Sequence, residues 1–161
     1  MYQLEKFTRE DIPQLISWIP DAKTLLIWSG SGYDWPIDRD QLEQTLLKAN
    51  NSNSKYLLLK FLLDKSVVGY IELRKLDSDE KTARIGRVII DPNMRGKGLG
   101  KEIINTVKEY ARKTLDLQSL TLGVFSFNQN AISLYEKTGF IITDTKKKPS
   151  MHFLLLCLTT H

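Results

Sequence analysis

The chain has 161 residues, the length of one ordinary domain, and its 42% hydrophobic and 26% charged composition excludes a disordered, fibrous or disulfide-stapled protein. One cysteine and two histidines cannot form a disulfide or complete a zinc site without carboxylates, and a net charge of +4 favours anionic partners only weakly. Apolar runs such as residues 153–158 fall far short of the roughly 20 residues a membrane helix needs, and the first six residues lack the apolar segment of a secretory signal, so the expectation is a single cytoplasmic domain over residues 1–161 with no metal and no membrane partner.

Residues 2–7 alternate apolar and polar side chains, the pattern of a half-buried strand. Thr8 and Asp11 have the spacing of a helix N-cap pair, and Ile12, Leu15, Ile16 and Ile19 carry helical spacing until Pro20. Residues 28–36 read as an aromatic-rich loop containing Trp28, Tyr33 and Trp35. A second helix starts at Asp38 or Asp40 on Leu42, Leu46 and Leu47, and polar residues 50–53 close it. Apolar runs 56–63 and 66–73, joined at Asp64-Lys65, predict a hairpin, and 84–90 is a third strand reached through the polar turn 77–80. After Asp91-Pro92 the chain becomes glycine-rich and then helical, with Leu99, Ile103, Ile104, Val107, Tyr110 and Ala111 on one face. Residues 120–125 predict a strand, 128–137 a short helix stopped by Gly139, and 140–143 and 152–158 two last strands. This order predicts an α/β (α+β) layer fold: a central mixed sheet of about seven strands flanked by about four helices.

Arg95-Gly96-Lys97-Gly98-Leu99-Gly100-Lys101 lies between a strand and a helix. Glycines let bare N–H groups approach a ligand, and the helix start adds unsatisfied donors, so the loop suits a phosphate or pyrophosphate. It is not a Walker loop, because Gly96-Lys97 runs into Gly98 and Lys101 into Glu102. It is not the dinucleotide fingerprint, because the position three after Gly98 is Lys101. A tight turn with solvated charges is the alternative.

The spacing Arg-x-x-Gly-x-Gly at Arg95, Gly98 and Gly100, preceded by Ile90-Asp91-Pro92, resembles the acetyl-CoA loop of the GCN5-related N-acetyltransferase (GNAT) family. A second block, Asn128, Ala131 and Leu134-Tyr135-Glu136-Lys137-Thr138-Gly139-Phe140, resembles that family's Asn-x-x-Ala-x-x-Leu-Tyr-x-x-x-Gly-Phe segment. The proposed element order fits the family's mostly antiparallel sheet from Tyr2 to Leu158, with motif detail confined to about residues 84–143.

The resemblance implies direct transfer of an acetyl group from acetyl-CoA, as co-substrate, to the primary amine of a small molecule or peptide in a ternary complex, by a monomer or homodimer. It places the pyrophosphate on Met94, Arg95, Gly96, Lys97, Gly98, Leu99, Gly100 and Lys101, and offers main-chain groups of Val88, Ile89 and Ile90 to the pantetheine arm. Tyr135 occupies the general-acid position, where a phenol protonates the departing thiolate; packing is its other use. Asn128 is a cofactor contact or a helix cap, and the two are compatible.

Many family members carry a glutamate on the strand before the glycine loop. Here that strand, residues 83–90, holds no acid. Glu72 on the preceding strand is the nearest candidate base, with an exposed polar residue as its alternative; relay through water needs no carboxylate. Arg87 favours an acidic acceptor, braces the cofactor, or is simply solvated. Trp28, Tyr33 and Trp35 either clamp the acceptor or pin their loop to the core. Cys157 reads as a core residue, not an acetylated intermediate. His152 and His161 are too isolated for a metal pair, and Lys146-Lys147-Lys148, without interleaved aromatics, reads as a solvated turn and not a nucleic-acid contact. The rival of another class is a non-catalytic acyl-CoA-binding or regulatory module.

Overall fold

The structure, a computed structural model, describes residues 1–148 and 151–159. The side chains of the lysine run 146–148 and of His152, and the whole of His161, lie outside what it describes.

Strand β1 (Tyr2–Lys6) leads through a short 3-10 turn (Arg9–Asp11) into α1 (Ile12–Ser17). Thr8 opens this run as expected: Asp11 Oδ2 accepts from both its N–H and its hydroxyl, at 2.8 and 2.9 Å. Helix α2 (Ala22–Ser29) follows at once, capped by Asp21, whose Oδ1 accepts from Thr24 N at 2.7 Å. The apolar pattern does not announce this helix, because Pro20 reads as a stop and the Asp21 start signal directly behind it is masked. Trp28 therefore belongs to a helix and not to the loop. Helix α3 (Arg39–Ala49) is capped by Asp38, one of the two starts expected for it.

The hairpin β2 (Leu57–Leu63) and β3 (Ser66–Asp77) turns at Asp64 and Lys65, both in the left-handed region with φ +46 and +71. Then come β4 (Thr82–Ile90), α4 (Leu99–Lys113), β5 (Ser119–Phe125), α5 (Gln129–Lys137), β6 (Ile141–Lys148) and β7 (Met151–Thr159). The described residues thus hold seven strands and five α-helices.

The strands form one sheet in the order β1-β2-β3-β4-β5-β7-β6, antiparallel at every pairing except β4–β5, which is parallel. Strand alternation sends neighbours to opposite faces. Leu59, Phe61, Ile71 and Leu73 join Ile103, Ile104 and Val107 of α4 in one core. Leu58, Tyr70 and Ile89 join Ile12, Leu15, Trp28, Leu42 and Leu46 of α1–α3 in the other. The sheet is therefore covered on both faces, and it opens where its strands part.

Candidate active site

The parting is at the centre. Strands β4 and β5 pair only from Thr82↔Ser119 to Ile85↔Leu122, yet run on to Ile90 and Phe125. Between those free segments opens a cleft of about 780 Å³, lined by residues 84–90 and 122–125, by the glycine loop, and by Asn128, Leu134 and Tyr135 of the α5 segment. Such volumes are typical of small-molecule sites.

A bulge re-aims β4 just past the point where the wedge closes. Tyr70 pairs with Ile89 and Glu72 with Gly86, so one β3 residue opposes two on β4, Arg87 and Val88. Arg87 takes up the extra residue at φ +51, a conformation that costs about 1 kcal/mol for a side chain this bulky. The Trp28 indole N–H donates to the Arg87 carbonyl at 2.9 Å and holds the bulge from α2.

At the far end, Pro92–Met94 forms a 3-10 turn and Gly96 and Gly98 adopt φ +76 and +78, so the loop turns in a conformation only glycine takes without strain. Gly98 caps α4 with no side-chain hydrogen bond, which leaves the first-turn N–H groups facing the cleft mouth without a side-chain acceptor. Gly100 has another purpose: a Cβ there would stand 3.1 Å from Leu134 Cδ2, so its absence lets α5 pack close to α4.

Tyr135 lines the cleft with its ring edge-to-face on Phe140, centroids 5.7 Å apart. Burial pushes its phenol up to about 12. Asn128 caps α5, its Oδ1 accepting from Ala131 N at 3.3 Å, and also lines the cleft.

Below the opposite end lies a charged cluster. Glu72 is 1% exposed, correcting the alternative of an exposed strand residue. Its Oε1 accepts from the Tyr70 hydroxyl at 2.7 Å and from Arg87 Nη1 at 3.2 Å, and Arg74 Nε stands 3.8 Å from Oε2. Burial and the Glu72 charge hold the Tyr70 phenol well above its ordinary pKa, so it stays a donor. Arg87 Nη1 also donates to the Tyr33 hydroxyl at 2.9 Å, and its guanidinium lies 4.4 Å from the Tyr33 ring centroid.

Of the residues expected to hold the cofactor, Val88, Ile89, Ile90, Met94, Arg95, Gly96, Gly98, Leu99, Gly100 and Asn128 line this one cleft, while Lys97 and Lys101 are exposed and off its wall. Of the aromatic trio, Trp28 lines the cleft but is buried, stacked on Tyr33 at 5.8 Å. Tyr33 and Trp35 are off the wall, and Trp35 is 47% exposed. Glu72 lies beneath the floor, behind Arg87. Cys157 sits on β7 opposite Thr121 and Ile141, away from the cleft. Arg74 and Arg84 also line the cleft; the signal for Arg84 was its place beside Arg87 in the otherwise apolar run 83–90, and Arg74, on β3, had none.

Residues 13–140 match the model of the Acetyltransferase (GNAT) family. Among curated relatives, the chain is 29% identical over 102 residues to spermidine N(1)-acetyltransferase of Vibrio cholerae, which is 63% of this chain and 58% of the relative. It is 32% identical over 108 residues to acetyltransferase PseH of Campylobacter jejuni, 67% of this chain and 62% of the relative. The matched segments therefore span about three fifths of those relatives. The crystal structure of the Vibrio cholerae spermidine N-acetyltransferase with CoA and spermine superposes over 99% of this chain and 95% of that one with TM-score 0.83 at 20% identity. With the family model covering most of its length, the chain belongs to the acetyltransferase (GNAT) family.

Proposed function

We propose that residues 1–161 form one N-acetyltransferase domain that moves the acetyl group of acetyl-CoA directly to a primary amine, as a cytoplasmic monomer or homodimer. The observation that carries this reading is the single wedge between β4 and β5, which has the glycine loop at one end and the Tyr135 phenol on its wall.

Acetyl-CoA supplies the thioester. Arg95, the amides of the glycine loop and the start of α4 bind its pyrophosphate. Main-chain groups of residues 88–90 on the side that β5 leaves open take the pantetheine arm, and Asn128 closes on it from α5. The bulge at Arg87–Val88 frees backbone donors toward the position where a thioester oxygen gains charge. The amine nitrogen attacks the carbonyl carbon, the C–N bond forms as the C–S bond breaks, and Tyr135 gives its proton to the sulfur. The proton lost by the amine passes to water in the open cleft. Glu72 is the carboxylate nearest the reaction, but Tyr70 and Arg87 occupy its Oε1. Its part is to position Arg87, and through it Tyr33 and the acceptor end of the cleft.

The test is release of CoA thiol against a panel of amines. Turnover on at least one amine supports the transferase; acetyl-CoA binding with no turnover on any would establish the acyl-CoA-binding module, which the lack of a carboxylate on the cleft wall favours. Because burial holds Tyr135 near 12, the acid stays loaded throughout the working range. The rate at saturating acetyl-CoA therefore rises as the amine deprotonates and shows no alkaline fall below about pH 10. A fall with a midpoint below about pH 10 would assign the proton donor elsewhere.

A further inference from the structure

The acceptor end of the cleft is built for a negative charge. Among the described residues its lining includes Arg74, Arg84 and Arg87 and not one aspartate or glutamate. Beneath it, the carboxylate of Glu72 offsets one positive charge and is already engaged by Arg87. Arg74 stands 3.8 Å from the same carboxylate and also lies against the Tyr56 ring at 5.3 Å. Arg84 has neither hydrogen bond nor ion pair among the described residues, and it faces Arg74 directly across the β3–β4 ladder. Like charges directly opposite on a sheet destabilise it. Burial first, and then the charge of Arg74, pull the Arg84 guanidinium below its ordinary pKa, the mark of a cation with no counter-ion. Arg87 adds a buried Nε with no acceptor.

These arginines do not belong to the pyrophosphate end. Arg84 lies six residues before Ile90, the last strand residue ahead of the glycine loop, which is roughly 20 Å along an extended strand. The wedge closes at Ile85, beside them.

Resting on the acetyltransferase reading, we infer that the acceptor is an amine carrying an anionic group, a carboxylate or a phosphate, that binds Arg84 and Arg74 while its amine reaches the thioester beside Arg87. A polyamine such as the spermidine named for the Vibrio cholerae relative would bring several positive charges to a wall that has only positive charges of its own.

The experiment compares matched pairs: β-alanine with propylamine for the carboxylate, phosphoethanolamine with ethanolamine for the phosphate, and spermidine as the cationic probe. The expected result is kcat/KM at least about 10-fold higher for one anionic member than for its neutral partner, with spermidine poorest. In Arg84→Gln that ratio collapses toward one, and Arg84→Lys restores part of it. Whichever pair shows the preference names the anion. If spermidine or the neutral amines are the better acceptors, the inference is overturned while the transferase stands. If Arg84→Gln weakens CoA binding itself as much as acceptor use, the arginines brace the cofactor and the inference is likewise overturned. If no amine turns over, the transferase reading fails on its own, and calorimetry of the CoA-bound protein still decides this site. Phosphoethanolamine or β-alanine binding that ethanolamine and propylamine lack, lost in Arg84→Gln, upholds it; equal binding overturns it.

Discussion

Arg95→Ala together with Gly98→Asp weakens CoA binding by about 100-fold or more, read by calorimetry or by loss of thermal stabilisation. The double change removes one charge-assisted contact and places one repulsive charge among the amides proposed to take the phosphates. Neither change opens a hole, since Arg95 is exposed and nothing lies within 4 Å of a Cβ built on Gly98. Gly98 is exposed at φ +78, so a side chain there costs about 1–3 kcal/mol of local backbone strain, less than the stability of an ordinary domain. Folding therefore survives a substitution that disables the loop. Gly98→Asn carries nearly the same shape and strain without the charge, so comparing it with Gly98→Asp alone isolates the electrostatic part of the effect. Unchanged thermal stabilisation by CoA in the double variant would remove the loop from the binding site.

That loop was legible because its chemistry lies in consecutive residues. Gly96, Gly98 and Arg95 need no knowledge of the sheet, and the strand before and helix after them follow from apolar spacing. The same holds for Asn128 and Tyr135, seven residues apart on one short helical segment. What sequence spacing did not reveal depends on pairing across strands. Glu72 and Arg87 are 15 residues apart, and only the β3–β4 register brings Nη1 to Oε1. The bulge that turns Arg87 inward inserts a residue that no periodicity shows. Helix α2 was hidden because stop and start signals adjoin at Pro20 and Asp21. Its position explains the aromatics: Trp28 is buried as a brace for the β4 backbone, Tyr33 is a platform under Arg87, and Trp35 is the most exposed of the three. Charge misleads in a related way. Lys97 and Lys101 flank the glycines but are exposed and off the cleft wall, whereas Arg74 and Arg84, distant in sequence, share its floor. Which positive charges line the cleft is a property of the sheet.

Tyr135→Phe lowers kcat by about 100-fold or more and leaves the affinity for acetyl-CoA within about threefold. The ring stays, and with it the edge-to-face contact on Phe140, so the cleft wall keeps its shape and the variant should fold as the parent does. Only the hydroxyl is lost, and with it the proton that the proposed mechanism gives to the sulfur. A merely structural tyrosine would show the reverse: a lower unfolding midpoint and weaker cofactor binding with kcat nearly intact. The raised phenol sharpens the distinction. With its pKa near 12, the group stays protonated through the neutral range, so its removal lowers the rate by a constant factor across that range and leaves the shape of the pH profile alone. The slow step also changes character. In the parent, departure of the thiolate is assisted; in Tyr135→Phe it is not, so the rate becomes more sensitive to the leaving group. An acyl donor with a more acidic thiol narrows the gap between variant and parent. Equal turnover of the two proteins on acetyl-CoA would show that water, entering the same open cleft, delivers the proton instead.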